Sequence, residues 1–159
     1  MKSWSEALRD GAISGSLASI ASTAVLSARG KKESATPYGP TNAISHWLWG
    51  ERAARRDGLS MRYTVLGYGI HHASATLWAV VYEKLLGDKP EGKAVAPALA
   101  GGLATAALAC FVDYKMTPQR LQPGFEKRLS SRSLVMVYGA FGLALAVRGL
   151  ASSRTRRAR

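Results

Sequence analysis

The chain is predicted to be all-α: a four-helix transmembrane bundle with an additional interfacial helix in the first loop. Three observations predict it. Gly11–Ala28, Tyr63–Tyr82, Ala94–Val112 and Ser133–Val147 hold no charge, although 20% of the 159 residues are charged. These stretches run 18, 20, 19 and 15 residues, close to the roughly 20 apolar residues that cross a hydrocarbon core. The 22 Lys and Arg follow the stretch boundaries: two before the first, then seven, three, five and five in successive loops and tail. Near anionic headgroups each such residue contributes about 1 kcal/mol. One integral membrane domain over 1–159 follows, with the lipid bilayer as its first partner. A nucleic-acid binder would gather its basic residues on one folded face, so no nucleic acid is expected despite the net charge of +12.

Span one, Gly11–Ala28, is small rather than oily. Gly11, Gly15, Ser19 and Ser22 recur near helical spacing, the pattern that lets helices approach closely in lipid. The loop Arg29–Arg62 then has two halves: Gly30–Pro40 is rich in turn residues, and Thr41 or Asn42 caps a helix running to about Asp57, with Gly58 as its stop. Ile44, Trp47 and Leu48 share one side, next to Trp49, while Arg52, Arg55 and Arg56 gather at the far end. Such a helix either lies among headgroups or covers the end of the bundle.

Span two, Tyr63–Tyr82, carries His71 and His72 near its middle and Trp78 and Tyr82 at one end. Successive helical residues point about 100° apart. His71 therefore stacks with Gly67, Ala75 and Trp78, and His72 with Tyr68 and Thr76. Polar groups at this depth turn inward and pair. Span three is Ala94–Val112, with Pro97 in its first turn and Gly101 and Gly102 four residues from Thr105 and Ala106; Asp113 closes it. Close packing of the small residues of spans one and three is expected to hold the fold together. Thr117-Pro118 reads as a helix start and Pro123-Gly124 as an interruption. Span four, about 133–150, reaches full length only past Arg148, whose side chain snorkels to headgroups. The basic tail 152–159 is expected to be disordered.

Catalytic chemistry is not legible. Cys110 is alone and sits in span three, where a thiol behaves as a small apolar residue. No phosphate-cradling or nucleophile motif is present. The carboxylates of Glu83, Asp113 and Glu126 lie at span ends or in a loop, where solvation or salt bridges account for them. The histidine pair allows a proton relay, a metal or haem site, or interhelical hydrogen bonds. Haem needs an axial group on a second helix, and His46, the only other histidine, is in a loop. Metal needs three or four suitably spaced ligands. No metal, cofactor or catalytic residue is therefore expected.

Three segments, the P-x-N-x-x-x-H run from Pro40 to His46, HHASATLWAVVYE and VDYKMTPQRLQPGFEKRLS, resemble small four-span bacterial inner-membrane proteins, loosely the YagU-like family. That resemblance implies a bacterial plasma-membrane location, four helices and no established activity. Orientation is nearly balanced: ten basic residues flank the side holding both termini and twelve the other; the polybasic tail favours cytoplasmic termini. The functional expectation is a non-enzymatic, multi-pass membrane component that docks a membrane-protein partner or self-associates. The alternative is a small proton-linked transporter or stress-response protein using a histidine of span two.

Overall fold

A computed structural model describes residues 1–87 and 94–157, and every regular element in it is a helix. The elements are α1 (Trp4–Ser34), α2 (Gly39–Ile44), α3 (His46–Trp49), α4 (Glu51–Ala54), α5 (Leu66–Leu86), α6 (Val95–Phe111) and α7 (Ser131–Arg157). Helix α1 starts on a full capping box: Ser3 Oγ accepts from the Glu6 backbone N–H, and the Glu6 carboxylate accepts from the Ser3 N–H. That satisfies two N–H groups that a helix start otherwise leaves unpaired. Helix α1 then runs past the expected end at Ala28, through Gly30, to Ser34. Lys31 and Lys32 sit in its last turn, where cations complement the helix dipole, and Arg29 pairs with Glu33 one turn on.

Helices α5 and α7 both pack along α1, and α6 packs along α7. Lys2 reaches Glu83 at the end of α5, and Glu33 reaches Ser130 and Ser133 at the start of α7, so both helices run antiparallel to α1. Helices α5 and α6 touch only sparingly. The expected close packing of spans one and three is thus corrected: α1 buries its small residues on α5 and α7, and α6 on α7. A Cβ on Gly11 would lie 2.5 Å from Val80 Cγ2, and one on Gly15 would lie 2.6 Å from Thr76 Cα, both in α5. A Cβ on Gly102 would lie 2.2 Å from the Gly142 oxygen of α7.

Two of the four expected spans, contained in Trp4–Ser34 and Val95–Met116, are long and apolar enough to cross a membrane. Ser131–Val147 is a shorter apolar stretch, and the histidines, tyrosines and threonines of α5 dilute its apolar character. Small residues make up much of the interior and many large apolar ones face out, although Leu26, Val80, Val137, Phe141 and Leu145 are buried. Buried in α1 are Ala7, Gly11, Ser14, Gly15, Ala18, Ser19 and Ser22, whereas Leu8, Ile13, Leu17 and Ile20 are exposed. Leu77, Leu103, Leu108, Phe111, Val135, Leu143 and Val147 are exposed likewise.

The single helix expected over about 42–57 is instead three short ones starting at Gly39. They break at Ser45 and at Gly50, whose φ of +62° is left-handed. Neither Thr41 nor Asn42 caps a helix; both are buried. Asn42 Nδ2 donates to the Arg56 and Gly58 carbonyls, and its Oδ1 accepts from Thr64 Oγ1. These bonds fold the segment back on itself, so residues 39–46 are covered while Leu48, Arg52 and Arg55 stay exposed. At the other end of the chain α7 stays helical to Arg157 where a disordered tail was expected; residues 158–159 and the Arg148 side chain lie outside the described part.

Candidate functional site

Where α5 and α6 stand apart, a cavity of about 250 Å³ lies between them. Its walls carry Ser74 and Trp78 of α5, Ala109 of α6 and Phe141 of α7; Trp47 and Phe125 close one end. Aromatic bulk keeps the helices apart here, whereas glycine lets them meet elsewhere. Phe125 is delivered by the turn at Gly124, whose φ of +92° suits glycine. Any Cβ there would also lie 2.6 Å from the Ala43 carbonyl oxygen. Trp47 Nε1 donates to the Gln122 carbonyl at 2.9 Å, tying α3 to the same turn. The Phe125 ring then stands edge-on to His71 at 6.4 Å and tilted to Tyr138 at 6.2 Å.

The cavity has two polar corners. His71 Nε2 lies 2.8 Å from Ser22 Oγ of α1. The Ser22 hydroxyl also lies 2.8 Å from the Ala18 carbonyl, so it can either donate to Nε2 or accept from it, according to the imidazole tautomer. In the other corner Tyr138 Oη donates to Asp113 Oδ2 at 2.6 Å. Tyr138 stands edge-on to Tyr114 at 6.2 Å, and Tyr114 Oη donates to Glu126 at 3.4 Å. Of the three carboxylates expected to be solvated or salt-bridged, Glu83 pairs with Lys2, while Asp113 and Glu126, both half-buried, accept from tyrosines.

The sequence-derived candidates separate. His71 and Trp78 line the cavity. His72 does not: it stacks on Tyr68 at 5.8 Å, and its Nδ1 is buried without a partner, as are the hydroxyls of Ser19, Thr23 and Thr76. Gly11 and Gly15 meet α5, Gly101 meets Leu86, and Gly102 meets α7. Thr105 bonds only its own helix, donating to the Gly101 carbonyl at 2.9 Å. Trp49 donates to the Arg62 carbonyl at 3.1 Å and stacks under the Arg62 guanidinium at 4.0 Å. Arg56 covers Tyr63 at 5.3 Å. Tyr138, Phe125, Ser22 and Phe141 were missed, because they come from α1, α7 and a loop, and periodicity within one element does not reveal a partner in another.

Outside the cavity, His46 donates from Nδ1 to the Ala43 carbonyl at 3.2 Å, leaving Nε2 buried and unpartnered. Burial first, and then the Lys127 charge, push its pKa down. Compared with protein-family models, curated proteins and solved structures, the chain matches none.

Proposed function

We propose that the chain is a multi-pass protein of the bacterial inner membrane, with α1, α5, α6 and α7 as four spans and both termini cytoplasmic. In this reading it is a non-enzymatic component that binds a small amphiphile in the cavity between α5 and α6. The supporting observation is the large apolar surface: Leu8, Ile13, Leu17, Ile20, Leu77, Leu103, Leu108, Phe111, Val135, Leu143 and Val147 face outward, while alanine, glycine and serine fill much of the interior. A chain dissolved in water rarely exposes contiguous apolar surface on that scale. In lipid there is no hydrophobic gradient between helices, so small residues that allow close approach belong inside. The glycine faces that made docking attractive are occupied within the chain, at Val80, Thr76 and Gly142. The cavity between α5 and α6 is the recess that remains.

Expressed in bacteria, the protein should stay with the membrane fraction after an alkaline wash. Recovery in the supernatant would end the membrane reading. A second reading, proton-linked transport, draws on the His71–Ser22 contact beside the cavity. It requires a His71→Gln/His72→Gln double variant that assembles normally but loses every pH-dependent effect; a variant that fails to accumulate marks the pair as packing residues.

A further inference from the structure

We propose that the cavity between α5 and α6 selects an organic cation, a small ammonium group carried on an apolar body. This rests on the reading of the cavity as a ligand site and adds the ligand's charge. The argument begins with an imbalance. The chain has 22 basic residues against 10 acidic ones, so a carboxylate without a basic partner is unexpected. Asp10, Glu33, Glu51, Asp57 and Glu83 each meet a lysine or arginine. Asp113 and Glu126 meet no basic side chain within ion-pair distance among the described residues, and each accepts from a tyrosine instead.

Asp113 lines the cavity, and five aromatic residues, Trp47, Trp78, Phe125, Tyr138 and Phe141, share its wall with aliphatic ones. Aromatic faces attract ammonium groups through the ring quadrupole, and desolvation strengthens that attraction. A carboxylate in a low-dielectric wall attracts a cation more strongly than one in water. A single Tyr138 hydroxyl satisfies only part of the Asp113 acceptor capacity. A metal ion would want three or four ligating side chains, and among the described residues no three of His, Cys, Asp or Glu come together. Size agrees as well. A cavity of about 250 Å³ falls just below the roughly 300 Å³ at which drug-sized pockets begin. It thus suits a headgroup with one ring or a short chain.

The test is titration of the detergent-purified full chain with benzyltrimethylammonium, read by calorimetry, alongside its neutral isostere neopentylbenzene and the anion benzenesulfonate. The expected result is saturable binding of the cation, at least about tenfold tighter than the isostere, with the anion excluded. Asp113→Asn keeps an acceptor for Tyr138 and should weaken the cation about tenfold or more, leaving the isostere unchanged. Glu51→Gln, at an ion pair away from the cavity, should change neither. Equal binding of cation and isostere to the native chain overturns the charge selection while sparing the ligand site. Binding of neither overturns both.

Discussion

Helix α5 treats α1 and α6 differently. Against α1 it closes a seam in which Gly11 and Gly15 sit on Val80 and Thr76. Across from α6 it leaves a cavity held open by Trp78, Phe125, Tyr138 and Phe141. Both neighbours are helices rich in alanine and glycine, so composition does not decide between seam and gap. Register does. Where glycine faces a backbone, the axes meet; where aromatic rings from a third helix and a loop intrude, they do not. Ser22 and His71 hydrogen-bond across the seam, but the hydroxyls of Ser19, Thr23 and Thr76 and the His72 Nδ1 are buried without partners. Its cohesion comes from contact area and from the ion cluster at one end.

Breaking that end should show the largest effect. Lys2 pairs with both Asp10 and Glu83, and the Lys2 and Glu83 side chains are only 8% and 5% exposed. Burial pulls the Lys2 pKa down, but the hydrogen bonds to Asp10 and Glu83 outweigh it and leave it above 10.5. Asp10 is displaced the other way, to below 3.8, burial opposing and Lys2 prevailing. The Lys2 contribution is thus complete below pH 10.5 and lost as pH rises through its raised value. The Asp10 contribution is present above pH 3.8 and lost in acid. Lys2→Met leaves the buried Glu83 carboxylate without its cation and Asp10 with Arg9 alone, and should cost about 3–5 kcal/mol in detergent melts at neutral pH; an unchanged melt would show the cluster is solvated.

The middle of the seam comes next. Gly15→Ala drives a Cβ to 2.6 Å from the Thr76 backbone and should cost about 1–3 kcal/mol. Gly69, on the facing helix α5 and with open space at its Cβ, is the control. Gly69→Ala should leave stability unchanged or raise it by up to about 1 kcal/mol. Equal losses at both sites would remove close approach as the explanation. On the cavity side, Ser74→Leu fills space rather than forcing a clash. Stability should stay within about 0.5 kcal/mol while binding of benzyltrimethylammonium disappears.

The smallest effect concerns the far end, where α1 meets α7. The Glu33 carboxylate accepts from the Ser130 backbone N–H at 2.8 Å and from Ser133 Oγ at 2.5 Å, capping α7 from another helix. These bonds, the Ser130 N–H first, hold its pKa down from 4.5 to about 2. A depressed carboxylate stabilises above its unfolded value, so this support is whole above pH 4.5 and fades towards pH 2. Acid melts of native protein and Glu33→Gln should converge over that window; parallel curves would show that the cap contributes nothing.

Much of the architecture was legible in the sequence. Charge-free runs marked the long helices, and helical spacing placed His71 beside Trp78 and His72 beside Tyr68. Legibility ended where one element depends on another. The long loop helix was misread because Asn42 ties to residues 14 and 16 positions ahead, a contact invisible to periodicity. Asp113 was read as an ordinary end-of-span charge because its partner, Tyr138, lies 25 residues on, in α7.

By itself the sequence determined which segments avoid charge and become helices, because hydropathy and helical period are properties of adjacent residues. Only the tertiary structure decided which glycine faces meet, which carboxylates lack a cation and where the cavity opens. Those outcomes depend on distances between side chains far apart in the chain, and close packing sets such distances for all four helices together.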